Sequence, residues 1–240
     1  NMENNSRIDN EFHGKTGSLM VSDSSHIDQL TKDFIKTIEE LGVPYTDDFN
    51  GSSQRGVGFY QFMNRDGKRS SAAYAFISPE KHNPKLDVNL NCNIEKIIIE
   101  KNKAIGVEYR NSKGELKKKF ADKEIILAAG SFITPKLLML SGIGNAEELK
   151  KYEIPCIADL PGVGENLIDH PECLILAKAN GPYGYYKQGV GWRMIKNGIQ
   201  FKLLGSGPVN STGVEAGAFI NPIDQDVPPS IQAFLSQAFI

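Results

Sequence analysis

The residues best suited to chemistry in this chain are few and differ in kind. Ala128-Ala129-Gly130-Ser131 ends an apolar run and precedes a helical pattern. Small residues at a strand-to-helix turn let a flat or phosphate-bearing ligand approach the main chain, where helix N–H groups can meet it. The same residues equally serve a tight connection packed for its own sake. Gly162-Val163-Gly164 invites comparison with a dinucleotide fingerprint but fails: Leu167 holds the place of the third Gly, and Pro161 rather than a strand comes before it. It reads as a turn. No Gly-x-Gly-x-x-Gly, phosphate-loop or Gly-x-Ser-x-Gly pattern occurs anywhere in the sequence.

His13, His26, His82 and His170 lack metal-ligand spacing, and the neighbours Asp169 and His170 point in different directions, so His170 reads as a loop anchor before Pro171. Glu215 is the single acid in Val214–Phe219 and suits either a solvent-facing strand position or a ligand contact. Cys92, Cys156 and Cys173 are far apart and form no Cys-x-x-Cys pair, which points to ordinary thiols in a reducing compartment, with no metal site. Lys117-Lys118-Lys119 has no interleaved aromatic residues and reads as a solvated strand end, not a nucleic-acid surface.

The elements that must position these residues come from 240 residues in which 27 Lys and Arg meet 29 Asp and Glu, for a net charge of −2. That balance gives no electrostatic footprint for nucleic acid. A hydrophobic fraction of 40% and a charged fraction of 23% exclude a disordered chain, a collagen-like chain and a disulfide scaffold. The longest apolar runs, Ile97–Ile99 and Ile125–Ala129, fall far short of the ~20 residues of a membrane span. The polar start lacks a signal-peptide core, so the expectation is a soluble, cytoplasmic protein with no membrane span. Asn1 before Met2 reads as a cloning remnant, and an end on Phe239-Ile240 suggests a polypeptide cut from something longer.

Residues 1–16 show no hydrophobic periodicity and read as a mobile arm, followed by a short strand at Ser18–Ser22. Ser25 or Asp28 can cap a helix with Ile27, Leu30, Phe34, Ile38 and Leu41 on its apolar face and Gly42 as its stop. Asp47–Gly58 reads as a loop and Ser70–Ile77 as a helical stretch. Alternation then predicts strands at Leu86–Asn91, Ile94–Glu100, Ala104–Arg110 and Glu115–Phe120, with Asn102-Lys103 and Asn111–Gly114 turning an antiparallel meander. Glu124–Ala129 reads as a strand covered on both faces. Thr134 can cap the next helix, with Pro135 at its first position, and Asn145 with Glu148 opens another. Residues 155–171 are a Pro/Gly-rich connection. After it come an amphipathic stretch at Trp192–Leu204, a loop at Gly205–Gly213, and strands at Glu215–Ile220 and Ser230–Phe234.

The segment Gly130–Gly144, Gly-Ser-Phe-Ile-Thr-Pro-Lys-Leu-Leu-Met-Leu-Ser-Gly-Ile-Gly, resembles the second signature of the glucose-methanol-choline flavoprotein oxidoreductases and meets every fixed position of it. His13–Gly17, Asp47–Gly51 with Gly56-Val57-Gly58, and Leu160–Pro171 agree with the family in the same order, and the whole looks most like its choline dehydrogenase-like members. The resemblance implies FAD as cofactor and a mixed α+β fold: a partial FAD-binding domain with an antiparallel meander, and a partial substrate domain with an antiparallel sheet and helices. It places residues 1–78 in the first part of the substrate domain, 79–171 in the FAD-binding domain and 172–240 in the second part of the substrate domain.

It also implies main-chain contacts from Ile94 to the adenine, a small-residue turn beside the adenosine at Ala128, Ala129, Gly130 and Ser131, and Glu215 on the substrate side. The implied reaction oxidises the CH–OH group of an alcohol, with its hydroxyl proton going to a histidine base and its hydride to flavin N5. The family's amino-terminal glycine fingerprint and carboxyl-terminal catalytic His have no counterparts in this sequence. The chain is therefore expected to resemble the middle of a longer enzyme, inactive alone and prone to self-association. Cyanohydrin lyase chemistry on the same fold, or a catalytically silent binding domain, remain alternatives.

Overall fold

The computed structural model of the chain describes residues 2–181, 183–224 and 226–237. Asn1, Phe239 and Ile240, read above as marks of cutting, lie outside the described residues. The chain divides into two compact units, one of residues 1–86 with 176–240 and one of residues 87–175.

The first unit opens on β1 (Glu3–Asn5), which pairs in parallel with β2 (Leu19–Asp23). The mobile arm expected at residues 1–16 is therefore corrected. Asn5 is fully buried, its amide oxygen accepts from the N–H groups of Arg7 and Ile8, and its side chain donates to Gln61 at 2.7 Å. Polar side-chain bonds order this segment, and hydrophobic periodicity does not report them.

Helix α1 (Gln29–Glu40) starts where Asp28 accepts a hydrogen bond from the N–H of Leu30, which settles the cap on Asp28 rather than Ser25. Its buried positions are Thr31 and Ile35, while Leu41, expected on the apolar face, is largely exposed. Strand β3 (Gly56–Phe59) takes up the end of the expected loop at Asp47–Gly58. Short strand β4 (Gln61–Phe62) pairs with β2, and β5 (Asn64–Arg65) forms a hairpin with β6 (Lys68–Arg69). Ala73–Ile77 forms a single π-helical turn inside the expected helical stretch.

In the second unit, β7 (Asn93–Glu100), β8 (Lys103–Arg110) and β9 (Leu116–Phe120) make the expected antiparallel meander. Its first turn centres on Lys101 and Asn102, both at positive φ, the conformation of a tight primed hairpin turn. The lysine run is solvated as read, with Lys119 bound to Asp87 at 2.5 Å. Leu86–Asn91 forms no strand, a correction to the fourth strand expected there. Glu124–Ala129 is likewise unpaired, and Ile126 is 79% exposed instead of covered on both faces. Apolar content alone does not make a strand, because the ladder needs a partner and none is present among the described residues.

Helix α2 (Gly130–Leu140) follows directly, with Pro135 inside it, not at its first position. Thr134 does not cap it; its hydroxyl oxygen accepts from the N–H of Ala129 across the first turn. Next come β10 (Ile143–Gly144), α3 (Ala146–Lys151) and β11 (Ala158–Asp159), with β10 and β11 paired in parallel. Asn145 caps α3 by accepting from the N–H groups of Glu147 and Glu148. Residues 161–164 form the expected turn.

The chain then returns to the first unit as α4 (Gly191–Leu204), β12 (Ala216–Ile220) and β13 (Ile231–Phe234). Strands β13, β12 and β3 form an antiparallel sheet in that order, and α1 packs on it. Ile35, Val57, Ala216 and Ala218 are buried there beneath Phe34, Ile38, Phe59 and Ile220. A fully buried Val57 contributes about 1.5–3 kcal/mol to this core. Among the described residues no helix is long and apolar enough to cross a membrane.

Candidate functional site

Ile94 and Ala128–Ser131 all fall in the second unit, on or beside two elements that pack together, β7 and α2. The junction is anchored by Ser141 at the end of α2. Its hydroxyl donates to the carbonyl of Leu137 at 2.6 Å, and its oxygen accepts from the buried N–H of Ile97 at 2.8 Å. That bond satisfies a main-chain donor on the side of β7 away from β8, and Leu137 and Ile97 close the contact with buried apolar surface. Gly142 follows at φ +84, and a Cβ there would lie 2.5 Å from the Pro155 carbonyl oxygen, so only glycine fits.

At its other end α2 starts with Gly130 at φ +85, and nothing lies within 4 Å of where a Cβ would stand. Ala128, Ala129, Gly130 and Ser131 are all exposed, and no side chain caps the helix. The first N–H groups of an α-helix have no partner within it. An open, small-residue helix start of this kind can take a flat group against its backbone and an anion on its N–H groups. Ile94 is half-buried in β7, opposite Tyr109, at a register shift between Ile94 and Lys96. Such an irregularity leaves part of the ladder unpaired and free to bind elsewhere.

Glu215 lies in the first unit and does not face solvent as the simplest strand reading had it: the residue is fully buried just before β12. Its carboxylate accepts from the N–H of Asp28 at 3.3 Å, Thr31 Oγ1 at 2.5 Å and Gln237 Nε2 at 3.3 Å, and from the hydroxyls of Tyr185 and Ser211. Burial pushes its pKa up, but the hydroxyl donors more than offset this and hold it below the ordinary glutamate value. Burial and the adjacent carboxylate together push the Tyr185 phenol well above its usual range. Tyr185, Thr31, Ser211 and Gln237 carry no local motif and were missed. The available signal was an acid flanked by Ala216, Gly217 and Ala218, small residues that suit a closely packed strand.

His13 sits in a second polar cluster, with one ring nitrogen on Glu3 and the other on Asp48. His170 is exposed, and its N–H binds the side chain of its neighbour Asp169. The three cysteines are free thiols. A cavity of about 410 Å³ in the first unit is lined by Asn4, Gly17, Ser18, Met20, Arg65 and Tyr74 among others; Gly17 ends the His13–Gly17 match, and none of the candidate cofactor- or substrate-side residues lines the cavity. Among the described residues no group of three or more His, Cys, Asp or Glu could hold a metal.

A mixed helix-and-strand chain with an open glycine turn at a helix start fits the class of nucleotide-cofactor proteins. The comparisons with known proteins agree with that class and narrow it. Residues 2–172 match the model of the GMC oxidoreductase family, and the chain belongs to that family. It is 35% identical to an alcohol dehydrogenase [acceptor] of Pseudomonas putida over 237 residues, covering 96% of this chain and 42% of that protein. It is 34% identical to an oxygen-dependent choline dehydrogenase of Escherichia coli O157:H7, covering 93% of this chain and 40% of that one. Among solved structures, an FAD-dependent oxidoreductase from Chaetomium thermophilum superposes with a TM-score of 0.80 at 25% identity, over 89% of this chain and 38% of that one. The chain thus spans about two fifths of the length of these relatives.

Proposed function

We propose that this chain contributes the adenosine-binding side of an FAD-dependent oxidoreductase that acts on the CH–OH group of an alcohol, as the names of its choline and alcohol dehydrogenase relatives suggest. The observation that carries this reading is the helix start at Gly130: positive φ, open space where a Cβ would be, and uncapped N–H groups. These features fit the adenosine end of FAD. Ala128, Ala129, Gly130 and Ser131 would lie against it, and main-chain groups at Ile94 would hold the adenine. When bound, FAD supplies hydride acceptance to such enzymes.

This chain's own residues position. Ser141 fixes α2 on β7, and Gly142 lets the chain leave the helix against Pro155. Glu215 would serve the substrate side by fixing Tyr185, Ser211 and the first turn of α1. In this reading no described residue is assigned as the base for the alcohol proton. In the same reading, a phosphate-binding glycine turn and a catalytic histidine are supplied by polypeptide other than these 240 residues. The exposed run Glu124–Ala129 then pairs in a parallel sheet completed by that polypeptide.

Amide spectra of the chain titrated with FAD test the binding half of the proposal. Shifts confined to Ala128–Phe132 and to Ile94 and its neighbours are expected, whereas shifts clustered around Glu215 and none in α2 would overturn it. The catalytic half predicts a colourless, inactive protein after incubation with excess FAD and removal of free ligand. A yellow preparation that oxidises alcohols would refute the view that the chain is incomplete as an enzyme.

A further inference from the structure

We propose that His13 is a protonated latch, an imidazolium clamped between Glu3 and Asp48 that fastens the first strand to the Thr46–Asn50 loop and lets go when the ring loses its proton. The ring Nδ1 lies 3.0 Å and 3.1 Å from the two carboxylate oxygens of Glu3. Its Nε2 lies 3.1 Å from each oxygen of Asp48. The His13 side chain is 6% exposed and those of Glu3 and Asp48 are 19% and 20% exposed, so water is a poor substitute for either bond.

A neutral imidazole carries one N–H and one lone pair. It can satisfy one carboxylate, and must then turn its lone pair toward the other. Only the charged ring donates in both directions at once, so the arrangement selects the imidazolium. Burial works against that charge, yet the hydrogen bonds and negative charges of Glu3 and Asp48 outweigh it and raise the His13 pKa above its ordinary value. Glu3 moves the opposite way, held below its usual value by His13 and Asn5 against its own burial. The other charged groups around the cluster bond elsewhere. Arg7 binds Asp23 of β2 at 2.9 Å and the Asp47 carbonyl at 3.0 Å, and Lys15 donates to the Ser6 carbonyl at 3.2 Å.

Each partner controls more than itself. Glu3 belongs to β1 and also accepts from Asn5, whose amide reaches Gln61 of β4. Asp48 accepts from the N–H of Asn50 and is followed by Phe49, whose ring lies 5.4 Å from Tyr60 and 5.1 Å from Phe219. Loss of the proton therefore frees a loop that carries one of the buried aromatic rings of the first unit. Because the folded pKa is raised, the latch is fully present below the unfolded histidine value and is lost as pH rises through the folded value.

Long-range proton–nitrogen spectra of the histidine rings of the whole chain test this directly. His13 is expected to carry protons on both nitrogens at pH 6.5, its ordinary value, and to titrate with a midpoint above that value. Hydrogen exchange at Glu3–Asn5 and Asp48–Phe49, corrected for intrinsic rates, should lose up to about tenfold protection per pH unit above that midpoint. Asp48→Asn should lower the midpoint toward the ordinary histidine value of 6.5, and His13→Gln should abolish the pH dependence of exchange. A His13 midpoint at or below the ordinary histidine value of 6.5, or opening that ignores the ring's titration, would overturn the proposal. The unsubstituted chain decides this even if neither variant folds.

Discussion

A carboxylate taken out of water must recover its lost hydration from protein donors, and Glu215 does so with an N–H, an amide and three hydroxyls from separate stretches of the first unit. Hydrogen bonds to a charged group contribute about 1.5–3 kcal/mol each. Tyr185→Phe removes one of them and keeps the ring, so urea unfolding should show a loss of that size with an unchanged slope. Acid should act through the same residue. The folded pKa of Glu215 lies below its unfolded value of 4.5, so its contribution is complete above about pH 4.5 and disappears as pH falls through the folded value. Glu215→Gln should flatten that acid limb, and a limb of unchanged steepness would mean that other carboxylates set it.

The turn after α2 governs its contact with β7. Gly142→Ala puts a side chain at φ +84 and a Cβ 2.5 Å from the Pro155 carbonyl oxygen. The left-handed conformation alone costs roughly 1–2 kcal/mol, and the backbone clash adds to it. We expect exchange protection at Ile97 to fall at least tenfold, because Ser141 can no longer hold its acceptor in place. Protection left intact would show that Ser141 is held independently of the turn. At this scale much was legible: α3, α4 and the meander carry their signals within a few residues, in caps, period and turn chemistry. The start of α2 was misread because proline favours a first turn, whereas here Gly130 opens the helix and Pro135 is accommodated inside it. The His13 and Glu215 clusters could not be read locally, since Asp48 is 35 residues from His13 and Tyr185 is 30 from Glu215.

For the molecule as a whole, surface area carries the argument. Large apolar side chains stand exposed in both units. Ile126 and Phe132 flank the candidate adenosine site, Ile168, Leu174 and Ile175 follow in the Pro/Gly-rich connection and just beyond it, and Trp192, Leu203 and Leu204 project from α4, all more than half exposed. Apolar surface in that quantity drives association in water at about 25 cal/mol per Å² buried, before the entropy of association is subtracted. The chain alone is therefore expected to self-associate, with light scattering that rises with protein concentration and with added sulfate, which strengthens apolar burial. Ile126→Asp with Phe132→Asp should lower the mass at fixed concentration and leave the far-ultraviolet circular dichroism unchanged, since neither side chain is packed. A clean monomer at high concentration would show that this surface is not available for association, and would remove the need for a covering polypeptide around α2.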